Sequence, residues 1–373
     1  MRIFRDLIRR IYCSIFALIG GVKEFRYYWR NKAWFVSYFP GEKKSKIVIF
    51  FDLLLWLIKN REFNKFYFSY GLNIKNSNMN MFCSYREFRE KRDSKNQKKV
   101  SQKGTTFNYL ALTRDKFVFS QYLNSLKIPT VNNKFIFKNE RFMSFETGQY
   151  MTCTEFFDNV KGQFFCKEMS GEGGQEAFSL TLNKNRIIID GKESTKDEVI
   201  KKIGEDFLVQ ELIQQHDKVN AIHSKSVNTV RIVTSKRKDG TIFVSNAQFR
   251  CGANGSTIDN WWAGGMIVGI NLDNGQLSEY GFYKPGYGTK AKIHPNSKIK
   301  FENYQLPYWE EVMEQVINAH QFFYGLFSIG WDVAITNEGP ILIEANEDWE
   351  VSMPQAVGQL NRNDVIEVLC PSK

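Results

Sequence analysis

An acidic β-hairpin constrains the fold of this chain more than any other feature of its sequence. Two apolar runs, 329–336 and 341–346, flank the turn sequence Asn-Glu-Gly-Pro at 337–340. Glycine and proline at such a position end one strand and begin the next. If the chain folds back at this turn, Asp332 lies directly opposite Glu344.

Side chains alternate between the two faces of a strand, so Glu344 and Asn346 share one face. The other face is predicted to enter a core through Ile341, Ile343 and Ala345. Directly opposed carboxylates repel each other, and a cation between Asp332 and Glu344 would relieve this repulsion. Two carboxylates and an amide oxygen form a hard, oxygen-only site suited to Mg²⁺. The alternative is a structural hairpin with incidental polar residues at its mouth.

Length and cysteine usage restrict the remaining possibilities. The chain has 373 residues, of which 43% are hydrophobic, and this is enough for two or more packed cores. No run reaches the roughly 18–20 apolar residues of a membrane span. The six cysteines are scattered without a C-x-x-C pair, as is typical of a reduced, cytoplasmic protein. The four histidines form no ligand pair at helical spacing, so no zinc site is expected.

The net charge of +11 favours an anionic partner, namely a nucleotide, an acidic polymer or an anionic membrane surface. Compositional drift is the alternative explanation of this charge. The sequence contains no recognisable nucleic-acid-binding motif, so nucleic acid is not an expected partner.

Residues 1–70 are aromatic and basic, and their pattern predicts helices. The first ten residues interleave four arginines with apolar side chains, as in a basic amphipathic helix. Two interpretations stay open: the helix lies on a membrane surface, or it packs on the body of the protein with a solvated basic face. The expected location is the cytoplasm, and the first interpretation adds peripheral attachment to the inner face of the membrane. The polar segment 84–104 predicts a mobile loop.

The rest of the chain alternates short helices with strands, which predicts an α+β protein with antiparallel sheet dominant after residue 160. Thr113 is the predicted N-cap of one helix. Ser194 with Asp197 predicts the capping-box start of another. Asp-Gly at 239–240 and Asn-Gly at 274–275 predict two further hairpins.

Three stretches of the sequence resemble the ATP-grasp superfamily, and most closely its sugar-transfer-associated members, which occur among bacterial surface-polysaccharide genes. The stretches are VQELIQQH, SVNTVRIVT and GWDVAITNEGPILIEAN. The resemblance implies an ATP-grasp fold, in which two α+β lobes hold MgATP between antiparallel sheets, here with a largely helical N-terminal region. It covers about residues 104–360 and implies a small lobe at 104–210 and a large lobe with the metal site at 211–373. Residues 1–103 show no βαβ rhythm, unlike the α/β domain with which this superfamily usually begins. They are expected to form a separate helical and basic region for substrate recognition.

The same resemblance assigns residues to ATP and its metal. Asp332, Glu344 and Asn346 match the magnesium motif D…E-x-N, for which two ions are expected. Lys116 and Lys167 correspond to two lysines that contact phosphates as point charges. The glycine-rich loop over the phosphates corresponds to Gly171, Gly173 and Gly174.

Further assignments concern the nucleoside and the substrate. The strand that links the lobes and pairs with the adenine edge matches Gln210, Glu211, Leu212 and Ile213. The ribose contact falls to His216 or Asp217. Arg231 and Arg250 correspond to arginines that steady the γ-phosphate and the acyl phosphate, with a structural ion pair as the alternative. The substrate-side loop matches Asn260, Gly264 and Gly265, next to the tandem tryptophans 261–262.

The resemblance implies an ADP-forming carboxylate–amine ligase that forms an amide on a sugar or uronic acid unit of a capsule or O-antigen. Its partners would be a sugar-linked carboxylate and an amine, with association to polysaccharide assembly, and the oligomeric state is left open. Two other functions stay open. One is a kinase or phosphotransferase on the same scaffold. The other is a non-enzymatic module that binds an anionic polymer or a membrane.

Overall fold

The N-terminal region is helical, as predicted. The computed structural model describes residues 2–96, 99–102, 105–170, 177–183 and 186–369. The first three helices are α1 over Arg2–Arg30, α2 over Lys46–Asn60 and α3 over Tyr85–Lys95. Ser45 caps α2, because its side chain accepts a hydrogen bond from the backbone N–H of Val48.

Helix α3 contradicts the predicted mobile loop over 84–104. Ser84 caps it by accepting from the N–H of Glu87 at 3.1 Å. Phe88 and Arg92, one helical turn apart, are both buried, and the Arg92 guanidinium donates to the carbonyl of Trp349 at 2.6 Å. The charged composition indicated solvation, but one aromatic and one arginine on the same face anchor the helix.

A short hairpin and two helices follow. They are β1 over Lys99–Gln102, β2 over Thr105–Asn108, α4 over Ala111–Arg114 and α5 over Lys116–Ser125. The N-cap of α5 is Asp115 and not Thr113, because the Asp115 carboxylate accepts from the N–H groups of Phe117 and Val118 at 2.9 and 3.0 Å. The prediction placed the helix start two residues early.

The first large sheet has eight antiparallel strands in the order β5-β4-β3-β10-β6-β7-β8-β9. In chain order its elements are β3 Asn133–Lys138, β4 Arg141–Ser144, β5 Tyr150–Thr152, α6 Cys153–Asn159, β6 Gly162–Glu168, β7 Phe178–Asn183, β8 Arg186–Ile189, β9 Lys192–Ser194, α7 Lys196–Ile203 and β10 Phe207–Glu211. Both helices begin with capping boxes. That of α7 pairs Thr195 with Glu198, one residue beyond the predicted Ser194 and Asp197.

The second large sheet has seven antiparallel strands in the order β15-β14-β13-β12-β11-β16-β17. Its elements and their neighbours are α8 Asp217–Ile222, β11 Thr229–Lys236, β12 Ile242–Cys251, β13 Met266–Ile270, β14 Leu277–Tyr283, β15 Lys290–Ala291, α9 Trp309–Phe322, β16 Ser328–Thr336, β17 Gly339–Asn346, α10 Ser352–Ala356 and α11 Arg362–Leu369. Both predicted Gly-turn hairpins are present, as β11–β12 and β13–β14.

The second sheet is covered on both faces, and strand alternation explains how. Met266 and Val268 of β13 join the core that contains α9 and also α5. Ile267, between them, points to the opposite face and joins a core with Leu53 and Leu72 of the N-terminal region. The N-terminal region is therefore packed onto the back of this sheet.

The hairpin β16–β17 confirms the predicted pairing of Asp332 with Glu344. The register shifts between Asp332 and Val333, because Val333 pairs with Leu342 and leaves Ile343 as the extra residue of a β-bulge. Leu342 and Ala345 consequently enter the core. The predicted inward positions Ile341 and Ile343 are wrong, since both side chains are only half-buried.

A search of the described helices finds none with the length and apolarity needed to cross a membrane.

The buried His320 of α9 predicts an acid-sensitive core. Its ring contacts the Thr234 hydroxyl at 2.6 Å and the Leu326 carbonyl at 3.1 Å, and burial lowers its pKa to about 3. The folded state therefore holds the neutral ring, and its contribution to stability is lost as the pH falls below the ordinary value of about 6.5. We expect the free energy of unfolding to fall by about 1.4 kcal/mol per pH unit from this residue in that range.

Urea denaturation of the wild type and of His320→Gln at several pH values measures this effect. The variant is expected to start less stable at neutral pH and to lose less on acidification. Parallel stability curves for the two proteins would show that His320 does not set the acid sensitivity.

Candidate active site

A cavity of about 440 Å³ lies between the two large sheets and collects most of the predicted site residues. Lys116 opens α5, and Lys167 comes from β6 of the first sheet. The second sheet contributes Arg231, Arg250, Asp332, Glu344 and Asn346. Residues more than 200 positions apart in the sequence thus line one space.

Asp332 lies between two arginines at the centre of this wall. Its carboxylate is held by the guanidinium of Arg231, with Nη2 at 2.9 Å from Oδ2. Nη1 of Arg250 lies 3.2 Å from the same oxygen and 3.3 Å from Oδ1. The register explains the arrangement, because Arg231 pairs with Asp332 across β11–β16, and Arg250 is diagonal to Arg231 on β12.

Asp259 extends this network and was missed by the sequence analysis. Its carboxylate accepts from Nη2 of Arg250 at 2.9 Å and from the hydroxyl of Thr229. Nothing in the local sequence marks Asp259, whose role depends on the loop after β12 folding back over the sheet. The result is a buried chain of alternating charges: Arg231, Asp332, Arg250 and Asp259.

The pKa values of the two paired carboxylates of the hairpin shift in opposite directions. Burial acts to raise the pKa of Asp332, but the charges of Arg231 and Arg250 outweigh it and hold the pKa below its ordinary value. Burial and the charge of Asp332 raise the pKa of Glu344, against the pull of two lysines. Asp332 is therefore the compensated anion, whereas Glu344 forms no salt bridge among the described residues and is only attracted by Lys116, Lys167 and Arg231.

Lys167 is the best-buried cation of the first-sheet wall. It is 7% exposed, and burial lowers its pKa to about 8, against the attraction of Glu344. Lys116 lies across from it, and the Lys116 backbone N–H donates to the carbonyl of Met169 at 2.9 Å. An anion entering between these lysines would relieve the desolvation of Lys167.

The donor set fits a hard cation in part. Glu344 and Asn346 line the same cavity, and Nδ2 of the buried Asn346 amide has no hydrogen-bond partner among the described residues. The orientation of an amide is a choice between its oxygen and its nitrogen, so either atom can face the cavity. Asp332 already uses its oxygens on two arginines, so its part in a metal site stays a prediction.

The end of strand β10, at Gln210 and Glu211, and the two residues after it, Leu212 and Ile213, form the edge of the cavity. The Gln210 side chain is committed to the fold, because it donates to Oδ1 of Asn133 at 2.7 Å. His216 and Asp217 are outside the lining of this cavity. The His216 ring caps α8 by accepting from the N–H of Lys218, so the cavity gives no support to a ribose contact.

Some residues of the predicted substrate loop line the cavity, and others shape the turn of the loop. Asn260 and both tryptophans line the cavity, and the buried Trp261 also donates to the Phe282 carbonyl at 3.0 Å. Gly264 and Gly265 do not line it. They permit the loop turn: Gly264 has φ +97°, and a Cβ on Gly265 would lie 2.6 Å from the Asp259 carbonyl oxygen.

The predicted glycine-rich loop, Gly171, Gly173 and Gly174, lies outside the described residues. Its contact with phosphates stays a prediction.

Glu347 is a second functional candidate that the sequence analysis missed. It is buried at the cavity wall, where it accepts from the Thr113 hydroxyl at 2.8 Å and from Nε of Arg114 at 2.7 Å. Its position directly after the E-x-N pattern was the available signal. These bonds join α4 to the end of the acidic hairpin.

The contrast between the hairpin carboxylates predicts opposite effects of two similar substitutions. Asp332→Asn leaves Arg231 and Arg250 without their shared anion, and breaking a buried pair in this way costs about 3–5 kcal/mol. Glu344→Gln removes a half-buried charge that forms no salt bridge among the described residues, with little change of shape, so stability is expected to stay equal or to rise. Thermal unfolding of both variants measures this, and equal losses would contradict the assignment of Asp332 as the compensated anion.

Comparison with known proteins identifies the family. A model described as sugar-transfer associated ATP-grasp matches residues 101–367. No curated protein sequence matches the chain significantly.

Solved structures with a similar fold are distant in sequence. N5-carboxyaminoimidazole ribonucleotide synthetase from Thermotoga maritima is 11% identical, with 64% of this chain and 42% of that chain covered and a TM-score of 0.33. D-alanyl-alanine synthetase A from Vibrio cholerae is 12% identical, with coverages of 70% and 65% and a TM-score of 0.39. Biotin carboxylase from Campylobacter jejuni, in a β-γ-ATP complex, is 10% identical, with coverages of 71% and 48% and a TM-score of 0.41.

This chain spans about 42–65% of the length of these three structures. The family model, in contrast, matches more than half of the chain, including both large sheets and the cavity between them. The chain therefore belongs to the sugar-transfer associated ATP-grasp family.

Proposed function

We propose that this protein is an ATP-dependent carboxylate–amine ligase. In this proposal it joins a sugar-linked carboxylate, such as a uronic acid unit, to an amine during synthesis of a bacterial surface polysaccharide. The observation that carries the proposal is the cavity between the two sheets, where two lysines face an arginine-rich acidic wall. The family description supports the link to sugars.

ATP fits the chemistry of this cavity. Its phosphates would lie between Lys116 and Lys167, and its adenine edge along β10. Nε of Arg250 is a buried donor without a partner among the described residues, as expected of a group that awaits an anionic acceptor. Mg²⁺, for which two ions are proposed, would be held by Glu344 and Asn346, with Asp332 as the third ligand. The ions would screen the charge on the phosphates.

The proposed reaction has two steps. A carboxylate oxygen of the substrate attacks the γ-phosphorus of ATP, and the bond to the ADP oxygen breaks. The amine then attacks the resulting acyl carbon, phosphate leaves, and the amine loses a proton. Activation is needed because a carboxylate has no good leaving group of its own.

The residues of the cavity act by position and charge. Arg231 and Arg250 stand where they would stabilise the transferring phosphoryl group and then the tetrahedral adduct. Asp332 and Asp259 fix the guanidinium groups in place beforehand. Lys167, with a pKa of about 8, is charged at neutral pH and gains a partner when phosphate enters. In this scheme no side chain acts as a nucleophile.

The ligase proposal predicts that ADP is released only when both an acid and an amine are present. Lys167→Ala and Glu344→Gln are each expected to lower the rate by at least about a hundredfold, because each removes a charge used in phosphoryl transfer. A coupled ADP assay with glucuronate-containing acceptors and a panel of amines measures this. Tyr324→Asp, on the exposed surface, is the control and is expected to keep full activity.

The product decides between this ligase and a phosphotransferase on the same scaffold. Mass spectrometry is expected to show an amide and free phosphate. A stable phosphoester would contradict the ligase and support the phosphotransferase. Full activity of Glu344→Gln would contradict the metal assignment.

We also propose that the N-terminal region places the enzyme at the inner face of an anionic membrane, where lipid-linked sugars would be within reach. Of the 19 exposed large hydrophobic side chains in the described residues, 13 come from the first 58 residues. A soluble domain normally scatters such side chains. The clustering of these side chains in the N-terminal region supports a surface that is covered by a membrane.

Helix α2 shows this most clearly, because it carries apolar side chains on its exposed face as well as on its buried face, with Asp52 as the one acidic residue along it. Ile49, Leu53, Trp56 and Leu57 are buried. The opposite face exposes Ile47, Val48, Phe51, Leu55 and Ile58, at 44–70%. Exposed lysines at 43, 46 and 59 stand at the two ends of the helix, and each is worth about 1 kcal/mol near an anionic leaflet.

Vesicle sedimentation tests the membrane proposal. The protein is expected to bind vesicles that contain phosphatidylglycerol better than pure phosphatidylcholine vesicles, and less tightly at high salt. Leu55→Asp with Ile58→Asp is expected to weaken binding by about tenfold or more, because two apolar anchors are lost. Tyr324→Asp again serves as the matched control. The opposite outcome is that the wild type binds neither kind of vesicle and is a dimer in light scattering, whereas the double variant is a monomer. In that case a second copy covers this face and the membrane proposal fails.

A further inference from the structure

A second cavity, of about 420 Å³, lies in the N-terminal region. Its walls come from α1, the end of α2, residues 62–70, the start of α3 and residues 350–352. All but the last segment lie before residue 90, outside the part of the chain that the family model matches. The cavity is therefore a feature of the region that the family assignment leaves without a role.

Two buried donors in this cavity have no hydrogen-bond partner among the described residues. They are Nε1 of Trp56, which is 6% exposed, and Nδ2 of Asn64, which is 4% exposed. The orientation of the Asn64 amide is fixed, because its Oδ1 accepts from the N–H of Phe66 at 3.1 Å. An unpaired buried donor costs about 1–3 kcal/mol, so two in one cavity call for an explanation.

The distribution of such atoms across the described structure supplies one. Seven buried side-chain polar atoms have no partner there, and four of them are nitrogen donors. All four belong to residues that line a cavity: Arg250 and Asn346 the first, Trp56 and Asn64 the second. The Asn346 amide can be turned to present its oxygen instead, so the other three are the firm cases. The three acceptors lie outside both cavities and belong to Asn73, Gln248 and Gln315. The donors without a partner therefore lie where a molecule can enter, and this indicates a ligand with hydrogen-bond acceptors.

The charged side chains of the second cavity point to the same kind of ligand. Three acids line it, of which Glu24 is exposed and the other two already accept hydrogen bonds. Glu62 accepts from the N–H groups of Tyr85 and Arg86, both at 2.9 Å. Glu350 accepts from the hydroxyl of Ser352. Four cations line the cavity together with these three acids, and the Arg86 guanidinium also lies 3.9 Å from Glu90. The four are Arg61, Lys65, Arg86 and Arg89. An oxyanion, which offers several acceptors and a negative charge, matches this set.

The two cavities are neighbours. Glu350 lines both. Phe66 of the second stacks on Trp261 with ring centroids 5.5 Å apart, and Nζ of Lys65 lies 4.7 Å from the ring centroid of Trp262, which lines the first cavity. A molecule held in the second cavity would therefore lie next to the first.

We propose that the second cavity binds the oxyanion group, carboxylate or phosphate, of a sugar-ring substrate whose reactive end enters the first cavity. Trp56 Nε1 and Asn64 Nδ2 donate to the oxyanion, and Phe63, Tyr70 and Tyr85 provide aromatic walls for the ring. The identity of the molecule as a substrate rests on the proposed ligase function, whereas the oxyanion site does not.

Three probes of equal ring size test the site on the full-length protein: glucuronate, glucose 1-phosphate and neutral glucose. In ¹⁵N-tryptophan-labelled protein, the indole signal that Trp56→Phe removes is assigned to Trp56. Glucuronate, glucose 1-phosphate or both are expected to move this signal downfield, and the stronger of the two identifies the oxyanion as carboxylate or phosphate. Glucose is expected to leave it in place.

Two variants remove the proposed hydrogen-bond donors and keep the packing of the fold. Trp56→Phe keeps the ring and removes the donor. Asn64→Asp keeps the oxygen that accepts from Phe66 and replaces the donor by an anionic oxygen. Each is expected to weaken probe binding by about tenfold or more, as for a hydrogen bond to a charged acceptor, while the affinity for MgATP stays unchanged. Trp29→Phe, outside the cavity, is the matched control and is expected to bind like the wild type.

The outcomes distinguish this site from the proposed function. If neither anion moves the Trp56 signal at millimolar concentrations while MgATP still binds, the cavity holds water only and the inference is overturned. Equal binding of glucose would overturn the oxyanion assignment. If the anions bind as expected but wild-type protein fails to bind MgATP, the oxyanion site stands and the ligase proposal fails.

Discussion

The salt bridge of Asp332 with Arg231 and Arg250 is the interaction on which the cavity wall depends. Three adjacent strands, β12, β11 and β16, contribute one charge each, and their register places all three on the same face. Removing charges from water is costly, and only close pairing compensates for it. The strands must therefore keep their register for the wall to be stable, so fold and site constrain each other here.

This pairing also divides the site residues into those whose charge is compensated within the protein and those whose charge is not. Asp332 is neutralised within the protein, whereas Glu344, Lys167 and Nε of Arg250 lack full compensation. The uncompensated groups carry both signs and face one space. A ligand with phosphates and a bound cation is complementary to both sets at once, which is why a nucleotide suits this cavity better than a simple anion does.

The sequence predicts the antiparallel α+β fold and the composition of the second-sheet wall, because alternation and turn residues are local signals. Asp332 opposite Glu344 follows from such a signal. Asp259 and Glu347 could not be found this way, since their roles arise from contacts of residues far apart in the chain. Cap positions were missed by one or two residues at Thr113 and Ser194. Helix α3 was missed because its single buried aromatic, Phe88, is hidden among charges.

The bulge at Ile343 separates the hairpin into two segments with independent registers. Between the bulge and the turn, Val333 pairs with Leu342, and beyond it Asp332 pairs with Glu344. A one-residue change of length at the turn can be absorbed by gain or loss of the bulge, and the carboxylates then keep their partners. The turn at 337–338 can thus gain or lose a residue without disturbing the charged wall, and its own ties run to α8 and α9, through the Asp217 N–H and the Tyr308 hydroxyl.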